Sequence, residues 1–258
     1  MSDAVVVTKI HHVGVVVERL ASGYTFWRDT LGLPVVRELE IPDQGVRAAL
    51  LAAGESEVEL IEPIDASTGV ARFLARRGEG LHHVCFESPD VDAALDVMRA
   101  RGVGLLDERP RPGLAGRIAF LHPRAGHGVL VELATPAPAG PLPDSPVRIK
   151  RLVIGCADPQ GTARIYQDLF ALPEVAINGG ARAMLGWAGG GTLLMVPASE
   201  VGGLEGLVAL SMVAPDMGGL AQRLEAARTA ILLGANEITV EPKSSHGVHL
   251  HISRHHFP

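Results

Sequence analysis

The chain has few aromatic residues, only two cysteines and no long uncharged apolar run. Phe, Trp and Tyr make up 4% of its 258 residues, so Val, Leu, Ile and Ala must fill the core. Cys85 and Cys156 are isolated, which excludes a disulfide framework or CxxC site and predicts two buried free thiols. No window reaches the roughly 18 apolar residues of a membrane span, and the N-terminus lacks a signal-peptide pattern. These absences predict a cytoplasmic protein without membrane contact.

The charge is nearly balanced and slightly acidic. The sequence carries 23 basic and 29 acidic side chains, for a net charge of −6, with 47% hydrophobic residues. Without a basic face, nucleic acid is not an expected partner. The composition predicts a globular fold that acts on a small-molecule substrate, as a monomer or a homodimer.

One segment rich in proline divides the chain. TPAPAGPLPDSPVR, at 135–148, contains five prolines, which can form neither a central strand nor a continuous helix. It predicts a linker between a domain at 1–134 and a second domain at 149–258.

The first domain contains an internal repeat. IHHVGVVV at 10–17 recurs as LHHVCFES at 81–88, and VELIEP at 58–63 recurs as VELATP at 131–136. Each repeat opens with a His-bearing strand and closes with a Glu-bearing one. Between them lie helical stretches, of which PDVDAALDVMRARGV is the clearest, with Asp90 as its cap and Gly102 at its end. The same order of strand and helix segments recurs less clearly after residue 148. We therefore predict an α+β fold of four modules in two domains, each module consisting of a strand, a helix and two or three further strands.

The repeated residues predict a metal site. His12, Glu59, His83 and Glu132 supply one His and one Glu from each module. Imidazole and carboxylate together suit one divalent ion of Zn, Co, Ni, Mn or Fe. Neighbouring strand residues face opposite ways, so we expect one member of each pair, His11/His12 and His82/His83, to point inward. Periodicity does not choose which.

A family resemblance distinguishes the two histidines of each pair. Residues 8–134 resemble the methylmalonyl-CoA epimerases of the vicinal oxygen chelate superfamily, whose domains pair βαβββ modules. The matching stretches fall in the family's order: IHHVGVVV, QGVR at 44–47, VELIEP, GEGLHHVCFESPDVDAAL, LLDERPRPG and IAFLHPRAGHGVLVEL. The resemblance implies that the second His of each pair, His12 and His83, and also Glu132 are metal ligands.

Two positions depart from that family. The epimerases usually carry Gln where this chain has Glu59, and a Glu there looks more like glyoxalase I. Their acid/base glutamate lies two residues after the valine of QGV, where this chain has Ala48. Alanine cannot carry a proton, so we expect poor methylmalonyl-CoA epimerisation. Glu132 and Glu59 are then the expected proton carriers, ahead of Asp43.

The second domain is expected to lack a metal. Alignment by motif places Arg151, Leu193, Ala209 and His251 at the positions of the four ligands. His249 and His251 share a strand face, but no carboxylate spacing accompanies them. The triple glycine 189–191 predicts a hairpin turn rather than a phosphate loop.

The favoured function is an isomerase, epimerase or lyase that forms an enolate from a small acyl or carbonyl substrate, acyl-CoA thioesters among them. One alternative is an extradiol ring-cleavage dioxygenase, which the superfamily contains as paired domains with metal in one. The other is a metal-free ligand-binding or resistance protein of the same fold. The four His and Glu positions favour the first.

Overall fold

The β-branched segments of the first half form one eight-stranded sheet. The computed structural model describes residues 7–175, 184–187 and 191–254. Its first sheet has the order β2-β3-β4-β1-β5-β8-β7-β6, so the two modules meet at the antiparallel pair β1–β5. The strands are β1 Lys9–Val16, β2 Val35–Ile41, β3 Val46–Ala53, β4 Ser56–Pro63, β5 Gly80–Glu87, β6 Arg111–Gly113, β7 Gly116–Phe120 and β8 Leu130–Thr135.

The second half repeats this topology in a seven-stranded sheet, of order β10-β11-β9-β12-β15-β14-β13. The two sheets confirm the α+β fold of paired modules. The second-sheet strands are β9 Arg148–Cys156, β10 Met184–Trp187, β11 Gly191–Pro197, β12 Gly206–Val213, β13 Ile231–Leu233, β14 Glu237–Val240 and β15 Leu250–Ser253. Of the hairpin turn predicted at 189–191, residues 189 and 190 lie outside the described residues, and Gly191 begins β11, which pairs antiparallel with β10.

Five α-helices occur in the described residues: α1 Leu20–Tyr24, which continues as a π-helix over Thr25–Thr30, α2 Gly69–Arg77, α3 Val91–Ala100, α4 Pro159–Phe170 and α5 Met217–Ala226. Asp90 caps α3 as predicted, accepting the backbone N–H of Ala93. The helix buries Val91, Ala94, Leu95 and Met98. Helix α2, which lies between the two modules, was not predicted from the sequence. None of the helices in the described ranges is long and apolar enough to cross a bilayer.

The two halves share one hydrophobic core. Val13 and Val15 of β1 lie in the same buried cluster as Leu152 of β9 and Leu210 of β12. Residues 136–147 lie between β8 and β9 without a helix or strand. The division into domains 1–134 and 149–258 stays a prediction, because the packing joins both halves. Both cysteines are buried and free, as predicted.

Polar contacts also join the two halves of the chain. His246 Nδ1 lies 2.9 Å from Glu79 Oε1, and His246 Nε2 lies 3.2 Å from the carbonyl of Ser22. Gly247 has φ +75°, and a Cβ added there would lie 1.9 Å from the carbonyl oxygen of Glu79. The close approach of the two backbones therefore requires glycine at this position.

We expect Gly247→Ala to destabilise the protein more than Gly202→Ala does. Gly202 has a similar φ of +70° but nothing within 4 Å of its added Cβ. Both variants meet the cost of a left-handed conformation, about 1–2 kcal/mol, while Gly247→Ala adds a backbone clash of about 1–3 kcal/mol. Thermal and urea unfolding measure the difference. Equal destabilisation by the two variants would show that the halves do not depend on this contact.

Candidate metal centre

The four predicted ligands converge on one point at the centre of the first sheet. Glu59, His12, His83 and Glu132 come from the adjacent strands β4, β1, β5 and β8. All four side chains are buried. One ligand-type atom from each lies within 4.8 Å of every other. The structure therefore brings together residues that are far apart in the sequence, one His and one Glu from each module.

The spacing of these atoms matches a coordination shell. His12 Nε2 lies 3.0 Å from His83 Nε2, 3.4 Å from Glu59 Oε2 and 3.2 Å from Glu132 Oε2. His83 Nε2 lies 3.3 Å and 3.0 Å from the same two oxygens. Two ligands about 2.0–2.2 Å from one ion are about 2.8–3.6 Å apart at octahedral or tetrahedral angles. The donor set thus fits a single divalent ion.

The charges of the cluster also favour a bound cation. Burial favours the protonated form of Glu59, but His12 and His83 hold the pKa of this carboxyl well below its ordinary value. Burial likewise opposes a charge on His83, yet Glu132 and Glu59 raise the pKa of its imidazole. Two buried carboxylates demand positive charge close by. A divalent ion held by neutral imidazoles would balance them.

The first His of each pair supports the second. The Nδ1 atoms of His11 and His12 lie 2.9 Å apart, and those of His82 and His83 lie 3.1 Å apart. With Nε2 directed at the cluster, Nδ1–H of each ligand can donate to the preceding ring, which fixes the tautomer. Burial lowers the pKa of His11 and of His82 to about 3, so both rings are neutral acceptors.

The prediction that only one member of each pair faces inward is wrong. The β1–β5 pairing shifts register between Ile10 and His12, and again between Gly14 and Val15, where His82 has no partner. Such β-bulges add one residue to a strand and break the alternation of faces. Both rings of each pair therefore lie on the same side of the sheet.

Three residues that the sequence analysis missed shape the cluster. A Cβ at Gly14 would lie 2.2 Å from the ring of His83, so only glycine admits that ring. The Phe120 ring meets His83 edge-on at 5.4 Å. Cys85 lies buried beside His12, and burial raises the pKa of its thiol to about 12, so it keeps its proton. A glycine inside a β-branched strand is the signal that identifies Gly14.

The cluster lies against a cavity of about 480 Å³. Its walls are mainly apolar, and His82, His83, Glu59 and Glu132 line it together with Ile41, Val46, Ile61, Val70, Leu106, Leu114, Ile118, Phe120 and Leu130. Asp43 lies exposed on the turn Pro42–Gln44 at its edge, outside the metal cluster. Ala48 is buried in an apolar group with Leu50 and Leu114. No carboxylate stands at the position where the resemblance expects one.

The second sheet carries the same geometry with different side chains. Strand pairing places Val153 between Ala209 and Leu194, as Gly14 lies between His83 and Glu59. The counterpart of Glu59 is therefore Leu194. The predicted Leu193 is wrong, because it faces the core on the opposite side of β11.

The remaining counterparts agree with the alignment. Arg151 pairs with Ser211, and Ser211 pairs with His251, as His12, Cys85 and Glu132 do in the first sheet. His251 Nδ1 lies 3.0 Å from Glu237, and the groups that could hold an ion within the described residues do not include it. A guanidinium in place of an imidazole repels a cation, and the described residues of this half form no group equivalent to the cluster of the first sheet.

We expect about one divalent metal per chain. Chelation should lower the melting temperature, because an ion bound only to the native state stabilises it. His83→Ala and Glu132→Ala should lose the metal, while His251→Ala should retain it, as measured by elemental mass spectrometry of untagged protein. Full metal content in His83→Ala would place the site elsewhere.

We expect His11→Leu and His82→Leu to weaken metal affinity about 10- to 100-fold, the usual effect of removing a hydrogen-bond partner of a ligand. His11→Asn supplies an amide oxygen as acceptor and should recover part of the loss. Cobalt titration monitored by its visible absorption measures affinity and ligand geometry together. An unchanged affinity in both leucine variants would exclude this supporting role.

Comparison with known proteins agrees with this architecture. The family profile of the Glyoxalase/Bleomycin resistance protein/Dioxygenase superfamily matches residues 11–121. The chain is 36% identical over 129 residues to the uncharacterised protein YqjC of Bacillus subtilis, covering 50% of this chain and 92% of that protein. It is 33% identical over 128 residues to an ethylmalonyl-CoA/methylmalonyl-CoA epimerase of Cereibacter sphaeroides, covering 48% and 96%.

Solved structures of methylmalonyl-CoA epimerases are also similar to this chain. A Streptomyces coelicolor methylmalonyl-CoA epimerase variant, in complex with 2-nitronate-propionyl-CoA, is 40% identical at a TM-score of 0.50, and the match covers 51% of this chain and 99% of that one. The methylmalonyl-CoA epimerase of Mycobacterium tuberculosis is 39% identical at a TM-score of 0.50, covering 52% and 91%. The chain belongs to the glyoxalase/bleomycin resistance protein/dioxygenase superfamily.

Proposed function

We propose that the protein is a divalent-metal-dependent enzyme that transfers a proton at the carbon next to a carbonyl of a small acyl substrate. One observation carries this proposal: His12, Glu59, His83 and Glu132 direct their ligand atoms to one point beside a cavity. The kinship with methylmalonyl-CoA epimerases supports an isomerase or epimerase.

The four residues would hold one ion of Zn, Co, Ni, Mn or Fe. When bound, such an ion supplies Lewis acidity that stabilises an enolate. The mainly apolar walls lower the polarity around the four residues, which strengthens electrostatic contacts within the cavity. Ile61 and Val46 from one module and Ile118 from the other lie on these walls.

The proton carriers are Glu59 and Glu132. They come from different modules related by the pseudo-two-fold between β1 and β5, and both line the cavity. Two carboxylates on opposite sides of a planar enolate can remove a proton from one face and return it to the other. Of the other cavity carboxylates, Asp107 is engaged by Arg111 at 3.0 Å and by the N–H of Phe120 at 2.9 Å. Asp43 lies exposed at the edge of the cavity.

The absence of a base at Ala48 sets the expected rate. Losing a general base costs about 10²–10⁴-fold, so we expect slow methylmalonyl-CoA epimerisation and solvent-deuterium incorporation into another acyl or 2-oxo substrate. Ala48→Glu should accelerate epimerisation, whereas Ala48→Gln, of matched size but without a titratable proton, should not. Mass spectrometry of the substrate measures the exchange.

The alternatives predict different outcomes of this experiment. Native epimerisation at about 1–10³ per second would contradict the argument from Ala48. Ring cleavage of catechols with oxygen consumption by the iron-loaded protein would favour an extradiol dioxygenase. Substrate binding without metal and without exchange would favour a ligand-binding protein.

A further inference from the structure

The face of the second sheet that lies opposite the core carries a continuous row of polar side chains. Strand pairing aligns them side by side across five strands: Thr192 on β11, Arg151 on β9, Ser211 on β12, His251 on β15 and Thr239 on β14. Residues that alternate with them, such as Leu152 and Leu210, are buried in the shared core. Because Arg151 is the counterpart of His12, this face corresponds to the one that holds the metal cluster in the first sheet.

A β-bulge turns Lys150 to the same face as Arg151. Lys150 has no partner in β12, because the β9–β12 pairing shifts register beside it. Its Nζ atom donates to Ser253 Oγ at 3.2 Å, and Ser253 lies two residues from His251, on the same face of β15. Two cationic side chains are therefore neighbours on this face, and burial together with the positive charge of Arg151 lowers the pKa of Lys150.

The Arg151 guanidinium lacks a partner of opposite charge. Within the described residues it forms no ion pair, and its buried Nε has no hydrogen-bond acceptor. Burial lowers the pKa of this group. The carboxylate of Glu237, which lies opposite Ser253, is engaged by His251, whose Nδ1 lies 3.0 Å from its Oε1. A buried N–H donor without an acceptor is rare in proteins, and an anionic ligand would supply the acceptor that is lacking here.

We propose that this face of the second sheet binds the oxyanion of a small ligand, a carboxylate or phosphate group, between the Arg151 guanidinium and the Ser211 hydroxyl. Guanidinium presents planar donors that match the oxygens of both groups. Ser211 lies directly opposite Arg151 on the neighbouring strand, so its hydroxyl can donate to the same ligand. Lys150 adds positive charge beside them. The second half then has a ligand site of its own, and this site is independent of the function proposed for the first half.

Anion titrations of the full chain test this site directly. The probes are inorganic phosphate and acetate, added separately at constant ionic strength, with binding measured by calorimetry and by the rise in melting temperature. Arg151→Met keeps the length of the side chain without its charge and donors, and should bind the preferred anion at least about tenfold more weakly. Ser211→Ala retains the charge and should bind it about 2- to 10-fold more weakly. Arg164→Gln removes an exposed arginine from α4 and should bind like the native protein.

The same titrations identify the ligand group and separate binding from a structural role. Tighter binding of phosphate assigns the site to a phosphorylated compound, and tighter binding of acetate assigns it to a carboxylic acid. Without ligand, Arg151→Met should not lower the melting temperature, because the variant loses a buried charge that has no partner. Its metal content should equal that of the native protein. Failure to bind either anion, or binding that Arg151→Met leaves unchanged, overturns the proposal. If Arg151→Met does not fold, unchanged binding by Ser211→Ala overturns it instead.

Discussion

Two carboxylates buried against two imidazoles constrain the rest of this structure. Glu59 and Glu132 lie on strands from different modules, and their charge is tolerable inside the protein only if positive charge compensates it. The surrounding structure keeps the Nε2 atoms of His12 and His83 3.0 Å apart, and each lies 3.0–3.4 Å from the nearest oxygens of the two carboxylates. That spacing needs the central pair β1–β5 in one register, since a slip by one residue would turn the ligands to the other face.

Paired β-bulges place the histidine pairs of the first sheet and recur in the second sheet, where the side chains differ. In the first sheet they bring His11 to His12 and His82 to His83. In the second sheet the β9–β12 pairing shifts register at the corresponding places, beside Lys150 and Val208. The β-bulge is therefore a property of the module, whereas the side chains on it determine the chemistry. Lys150 and Arg151 on β9 replace the imidazoles of His11 and His12 on β1, so the described part of the second sheet lacks the ligand set of the first.

The cavities combine elements that no single module supplies. Helix α2, between the two modules, contributes Gly69 and Val70 to the cavity beside the metal cluster, and a neighbouring cavity of about 400 Å³ is lined by α2 and by Gly206 and Leu207 of β12. The shared core and the close contact at Gly247 hold the two halves in the position that this wall requires. The second half thus contributes two residues to the neighbouring cavity, and its described residues contribute none of the four candidate ligands.

The modules, the capped helix α3 and the composition of the candidate metal cluster could be read from the sequence, because they depend on local patterns: a repeated His-His and Glu, β-branched strands and the Asp90 cap. The choice of His12 and His83 within the two pairs came from the family resemblance. The faces that the histidines occupy could not be read from the sequence, because a bulge arises from the pairing of two distant strands and leaves no periodic trace. The same limit explains the one-residue error at Leu193, whose true counterpart is set by parallel register with β9.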